Sequence, residues 1–344
     1  MGFLDWLRRS RRSDGPGRAE REEQAALAER LTRLSPRLRL VPGYAGRLAP
    51  DIGTALAFAR ELVAGLPPPR IASASTWGDD PYIHAFFGAS HDVTLAFSRS
   101  SDLRDYFAAE PFLEEAYVVL GMAMTERRTL GVALEGGVLH SDVPQTTISF
   151  VDHQVHIFGA DDAALREEIV MRLLDQLVLQ GLAASQNDGQ RRMELQQEQA
   201  LLKERLHLLR REGVGLRGVV GGEDGGTRHE RARLHARVDQ IDAELATLSA
   251  PPGKVDALQC HLDGVCDALA NAASSFRIER RRIRLSRVNV LLPHDSDTPG
   301  DDLDILTAHV PGDPPLVRTF VLARYARQGM MSQASLLDEA ERFL

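Results

Sequence analysis

Two segments with heptad spacing constrain the fold of this chain most strongly. In the first, Leu195, Leu202 and Leu209 recur every seven residues, and Leu206 occupies the other apolar position of the repeat. In the second, the apolar residues alternate steps of four and three; they are Leu234, Val238, Ile241, Leu245 and Leu248. Such a repeat puts a narrow apolar seam on one side of a helix, so both segments are predicted to be helices that pack through these residues.

The residues between the two heptad segments predict a reversal of the chain. Residues 213–227 contain seven glycines, a composition typical of a flexible turn. We therefore expect an antiparallel coiled-coil hairpin over residues 190–250, in which each arm of about 20 residues spans roughly 30 Å. Packing of both helices into an ordinary core is the alternative, but the narrow seam and the dense charge around it favour a projecting arm.

The glycines Gly213, Gly215 and Gly218 match the G-x-G-x-x-G pattern of dinucleotide-binding loops. That site needs a strand before the glycines and a helix N-terminus after them, whereas here a helix is predicted before them. P-loop, zincin, thioredoxin-like and lipase-type motifs are absent from the sequence as well. We therefore expect no cofactor.

Short apolar runs before and after the heptad segments predict β-strands. Four antiparallel strands are expected in succession at 117–125, 129–135, 145–151 and 155–158. The turns between them are predicted at Gly136-Gly137 and at Asp152-His153-Gln154, and the later strands are predicted at 276–291, 303–310 and 317–325. Because a sheet of two or three strands is marginally stable alone, the late strands should complete the early sheet.

Together these patterns predict an α+β fold with a mainly antiparallel sheet, packed helices and an inserted antiparallel coiled-coil hairpin. Helix breaks are expected at Pro50, just before the N-cap Asp51, and at Asn187-Asp188-Gly189. The predicted organisation is a basic N-terminal helical segment with a mobile start (1–43), an α+β body (44–189 and 254–344) and a helical arm (190–250) with a Gly-rich tip at 213–227.

The composition favours a bacterial cytoplasmic protein. Only two of the 41 basic residues are lysines, Lys203 and Lys254, a bias typical of a GC-rich genome. Asp5 interrupts the first apolar residues, so a secretory signal is not expected, and no apolar run reaches the 18 residues of a membrane span. Residues 1–12 combine aromatic residues with four arginines, which indicates either weak contact with a membrane surface or a frayed terminus.

A cluster of histidines and aspartates in the early strands carries the enzymatic alternative. His140, Asp142, Asp152 and His153 are the candidate catalytic residues of a metal-assisted hydrolase, and His153 with His156 forms a weak candidate metal site. Hairpin turns also collect these residue types simply because they are solvated, which is the favoured explanation. Similarly, the stretch Trp77–His84 could line a small-molecule pocket, but a loop that starts a helix at Asp80-Pro81 is favoured.

Six arginines lie within residues 277–287 of a chain whose net charge is −8. In a strand, alternation would place Arg280, Arg282 and Arg284 on one face and Arg281 on the other. These four are candidate anion-binding residues; the alternative, which we favour, is an edge strand that uses charge to resist aggregation. The acidic balance of the whole chain argues against a nucleic-acid binder.

The function predicted from the sequence is that of a non-enzymatic interaction or scaffold protein. It would act through the coiled-coil arm, on a protein partner or on a second copy of itself. The alternative is a hydrolase with its site around 140–156, and a weaker alternative is binding of an anionic ligand or nucleic acid by the arginines at 277–287.

Overall fold

The computed structural model describes residues 17–135, 138–214, 225–247, 254–293, 298–312 and 314–341. These residues form an α+β fold, as predicted. The α-helices are α1 (Arg18–Leu31), α2 (Tyr44–Ala64), α3 (Pro81–Phe86), α4 (Ser90–Arg99), α5 (Ser101–Ala109), α6 (Asp162–Val214), α7 (Gly225–Thr247), α8 (Lys254–Ala270), α9 (Ala272–Ser275) and α10 (Gln333–Glu341). No helix in the described ranges is long and apolar enough to cross a membrane.

Seven strands form one sheet. They are β1 (Arg70–Ile71), β2 (Glu115–Glu135), β3 (Val138–Gly159), β4 (Arg277–Leu285), β5 (Leu291–Leu292), β6 (Asp301–Val310) and β7 (Leu316–Ala326). The strand order is β3-β2-β7-β6-β4-β5, and the short β1 pairs in parallel with β7. Since β2 pairs directly with β7, the prediction that the late strands complete the early sheet is confirmed.

The prediction of four short early strands is wrong. The structure has two long strands, β2 and β3, which pair antiparallel from Tyr117 opposite Gly159 to Glu135 opposite Val138. The predicted turn at Asp152-His153-Gln154 is a β-bulge within β3, and the predicted turn at Gly136-Gly137 lies outside the described residues.

Three bulges interrupt the pairing of β2 with β3, and each adds one residue to β3. Each bulge contains a residue with positive φ: Asp142 (62°), Asp152 (55°) and Ile157 (54°). An extra residue reverses the alternation of side chains after it. Accordingly the core-facing residues before the bulge at Asp152 are the even-numbered Ile148 and Phe150. After the bulge the core-facing residue is the odd-numbered Val155.

The sheet curls so that its two edges approach each other. The Ile148 N–H donates to the Asn289 carbonyl at 2.8 Å, and Thr147 forms a β-bridge with Val290 just before β5. The curled sheet encloses one face of its own side chains, which pack against α3, α4 and α5. Within this core the ring of Phe97 stacks on that of Tyr325 with the centroids 4.3 Å apart.

The described chain divides into two compact units. The sheet unit comprises residues 55–174 and 271–341 and holds all seven strands. The helical unit comprises residues 17–54 and 175–270. The division into segment, body and arm stays a prediction.

Two predicted helix breaks are wrong. Helix α6 runs without interruption through Asn187, Asp188 and Gly189, all of which are exposed, so the break at the start of the predicted arm does not occur. Helix α2 likewise contains Pro50 in its first half. A single glycine costs only about 1 kcal/mol in a helix, and packing of the flanking turns outweighs it.

Candidate functional site

The predicted seam residues are mostly buried along α6 and α7. Leu195, Leu206, Leu209, Val238 and Ile241 are at most 8% exposed. The remaining three in the described range, which are half-buried, are Leu202, Leu234 and Leu245, while Leu248 lies outside it. These side chains therefore pack against other residues of the same molecule.

Ion pairs join α6 to α7 beside the seam. Arg237 makes a two-pronged contact with Glu198, at 2.8 and 3.0 Å, and this hydrogen bonding lowers the pKa of Glu198. Two further pairs link the same helices, Arg191 with Glu244 at 3.3 Å and Arg205 with Glu230 at 3.2 Å. Because the partner number falls as the number on α6 rises, the two helices run antiparallel. The coiled-coil character of this pair stays a prediction.

The exposed side of α6 carries several large apolar residues, and three of them, unlike Leu179, lie in the part of the helix that pairs with α7. Met193 is 59% exposed, Leu201 73% and Leu208 42%, and we call these three the outer stripe. At 100° per residue they lie within about 80° of one another and about 110° to 170° from the centre of the seam. Sequence analysis missed the outer stripe because each member lies within two residues of a seam leucine.

The candidate catalytic residues of β3 have separate structural roles. Asp142 is exposed at a bulge, and Asp152, also at a bulge, pairs with Arg318, whose hydrogen bond lowers the pKa of Asp152. The His140 side chain lies outside the described part of the molecule. His153 contacts the core, where its ring stacks on Phe87 with the centroids 4.5 Å apart.

The two candidate metal ligands do not meet in one site. The Nε2 of His153 lies 2.8 Å from the Phe86 carbonyl, and since a carbonyl only accepts, this nitrogen carries the proton. His156 instead faces Asp102, with Nδ1 and Oδ2 3.4 Å apart. Among the residues that the structure describes, no group of three His, Cys, Asp or Glu side chains could hold a metal ion.

Burial lowers the pKa of His153, which predicts a pH-dependent stability. The unfolded chain binds this proton near pH 6.5 and the folded protein only at lower pH, so stability is lost as the pH falls below about 6.5. We expect the melting temperature of the wild type to fall between pH 7.5 and 5.5, and His153→Phe to show a smaller fall. His156→Phe is the control, since its side chain is 59% exposed. Equal falls in wild type and His153→Phe would contradict this assignment.

The arginine-rich segment forms the strand β4. Ile283 and Leu285 point into the core, so the opposite face carries Arg280, Arg282 and Arg284, as predicted. Arg281 pairs with Glu126 and Arg282 with Asp302, whereas the half-buried Arg284 has an Nε without a hydrogen-bond partner in the described structure. Arg280 is exposed, and it donates to the Gly65 carbonyl over a long 3.4 Å.

A groove of about 450 Å³ lies between the end of α2 and β4, within the sheet unit. It is lined by the apolar residues Phe58, Leu62, Leu66, Ile278 and Leu306, by Gly65, and by one side chain of each charge, Arg280 and Glu61. We call it the α2–β4 groove. Sequence analysis singled out Arg280 but missed the helix residues, because more than 200 positions separate Leu62 from Arg280 along the chain.

A smaller cavity of about 110 Å³ adjoins the α2–β4 groove and shares Arg280 and Leu306 with it. Tyr82 lines it: the Arg70 guanidinium lies 3.5 Å from the centre of the Tyr82 ring, and the Tyr82 hydroxyl accepts from the Asp304 N–H at 2.9 Å. Asp80 caps α3 by accepting from the Tyr82 and Ile83 N–H groups, which confirms the predicted helix start. The Trp77–His84 stretch thus starts a helix and also contributes Tyr82 to a cavity.

Comparison with known proteins gives no relative from which a function could be transferred: no family model, curated protein or solved structure matches the chain.

Proposed function

We propose that this chain is a non-enzymatic interaction protein that associates with a second copy of itself through the antiparallel helices α6 and α7. The observation that carries the proposal is the outer stripe. Exposed leucines are common singly, but here three large apolar side chains recur about every two turns on one face of α6, with Gln197 and Glu204 between them. Within the described range, the exposed residues of α7 include no large apolar side chain, so the outer stripe has no counterpart on α7.

The spacing of the outer stripe suits a second copy. Met193 lies eight residues before Leu201, and Leu208 lies seven residues after it, so the stripe is nearly symmetric about Leu201. Two such stripes can pack antiparallel about a two-fold axis, with Met193 of one copy against Leu208 of the other. The stripe spans about 22 Å, which is short for a stable interface, so the proposed dimer is weak and depends on concentration.

The seam and the outer stripe have different roles in this proposal. The buried seam leucines and the ion pairs of Arg237 and Arg191 would hold α6 and α7 together as a coiled-coil hairpin. The outer stripe would then be the surface that recognises the partner. As part of the same proposal we place the protein in the bacterial cytoplasm, supported by its arginine-rich composition and by two cysteines without a disulfide.

The experiment is sedimentation velocity of the full chain over a range of about 1 to 200 μM, which brackets the affinity of a small interface. We expect the wild type to shift from monomer to dimer with increasing concentration. Leu201→Glu should weaken the dimer at least tenfold, because it places a charge in the centre of the apolar contact. Ala236→Glu, on the exposed side of α7, is the matched control and should dimerise like the wild type. A wild type that stays monomeric, or a Leu201→Glu variant that dimerises normally, overturns the proposal.

A further inference from the structure

One edge of the strand β4 is open. On one side β4 pairs with β6 along its whole length, from Arg277 opposite His309 to Leu285 opposite Asp301. On the other side β5 pairs only with Arg284 and Leu285. In the described part of the chain, no strand pairs with this second edge over residues 277–283. An open edge presents backbone N–H and C=O groups that another extended chain can pair with.

The α2–β4 groove covers one face of β4, the strand that carries this open edge, and extends to Leu306 of its partner β6. Ile278 and Arg280 line the groove, and because they are two residues apart they point to the same side of β4. A strand added to the open edge would point every second side chain to that same side. Those side chains would meet the apolar groove wall formed by Phe58, Leu62 and Leu66. This combination of an edge strand and a neighbouring helix groove is a recurring way to bind an extended peptide.

The charges on β4 select the kind of peptide. The strand carries five arginines and one glutamate, a net charge of +4, in a chain whose net charge is −8. Arg281, Arg282 and Glu279 already face partners, which are Glu126, Asp302 and His309. Arg280 and Glu61 both line the groove; Arg280 donates one long hydrogen bond to the Gly65 carbonyl, and Arg277 is exposed at the start of the strand. A guanidinium prefers a carboxylate partner, so an acidic segment complements this edge.

We propose that the α2–β4 groove binds an extended acidic segment of a partner polypeptide, which adds as a strand to the open edge of β4. Apolar side chains of the segment enter the groove, and a carboxylate next to them pairs with Arg280. The site belongs to the sheet unit and involves none of the residues proposed for self-association, so the two proposals can fail separately.

The test uses the full chain and a fluorescent octapeptide that alternates glutamate and valine and is blocked at both ends. Anisotropy at about 50 mM salt, where surface charges are only partly screened, should show saturable binding. Arg280→Gln should weaken binding about tenfold, the loss expected for one charge-assisted contact. Arg99→Gln, an exposed arginine at the end of α4, is the matched control and should bind like the wild type.

Two further measurements separate strand addition from simple charge attraction. The same octapeptide with alternate backbone nitrogens methylated cannot pair with the edge, and it should bind at least tenfold more weakly. Hydrogen exchange at residues 277–283 should slow when the unmodified peptide is bound. Equal binding of the methylated peptide, equal competition by inorganic phosphate, unchanged exchange at 277–283 or no binding by the wild type would each overturn the proposal.

Discussion

Replacing Arg166 by methionine is expected to lower the free energy of unfolding of the sheet unit by about 3 kcal/mol, since buried carbonyl groups would lose their hydrogen-bond donor. The guanidinium of Arg166 donates to three carbonyls at the end of α2: Val63 at 2.7 Å, Leu66 at 3.2 Å and Pro67 at 3.0 Å. Val63 and Leu66 are buried residues, so water cannot readily replace the arginine. The side chain also pairs with Asp162 one turn earlier on α6.

The measurement is urea denaturation followed by the fluorescence of Trp77, in a Trp6→Phe background. Trp77 belongs to the sheet unit, where its indole N–H donates to the Phe87 carbonyl at 2.9 Å. The matched control is Arg172→Met, on the same helix. Arg172 is 62% exposed and, among the residues that the structure describes, pairs with Glu168 one turn away, so its loss should cost at most about 0.5 kcal/mol. Similar urea midpoints for the two variants would show that Arg166 does not secure the end of α2.

Replacing Gly181 by alanine should destabilise the helical unit by about 2 kcal/mol, even though alanine is the better helix former. Helices α6 and α8 touch backbone to backbone here, and a Cβ on Gly181 would lie 2.5 Å from the Gly264 carbonyl oxygen and 2.7 Å from the Val265 Cα. Backbone atoms cannot move aside as a flexible side chain can. The helices must therefore separate, and this overpacking outweighs the gain of about 1 kcal/mol in helix propensity.

Gly189 provides a matched control on the same helix. No atom lies within 4 Å of the position that its Cβ would occupy, so Gly189→Ala should raise stability by about 0.5 to 1 kcal/mol. The two variants make the same chemical change eight residues apart, with opposite expected signs. Thermal unfolding followed by the helical circular dichroism signal measures both. Stabilisation by Gly181→Ala would mean that α6 and α8 do not pack as closely as described.

The amino-acid pattern predicts element types well where one period persists over a long stretch. Strands β6 and β7 and the helices that contain the heptads were identified because their apolar residues keep a constant spacing. The same reasoning failed at Asp152, where a turn was expected. Because of the bulge there, the side chains that point into the core change from even-numbered residues such as Phe150 to the odd-numbered Val155. In a sequence, such a change looks like the end of one strand and the start of another.

The surfaces proposed for binding show a different limit of sequence reasoning. The outer stripe could have been predicted from the sequence, because Leu201 and Leu208 are one heptad apart. It was overlooked because the seam residues next to it have the same seven-residue spacing. The α2–β4 groove could not have been predicted from the sequence, since Leu62 and Ile278 are far apart in the chain and come together only in the folded protein. A polar residue such as Asp80 was placed correctly because its role as a helix cap is local.

The three bulges have a consequence for the path of the long hairpin. All three bulges add a residue to β3 and none adds a residue to β2. Over the paired region β3 therefore has three more residues than β2. Each bulge bends the bulged strand locally and increases its twist. That unequal length gives a physical reason why β3 can curve away from β2's plane and reach Asn289 at the far edge of the sheet. Single extra residues, Asp142, Asp152 and Ile157, thus contribute to the closure of the sheet together with the turn that carries Asn289.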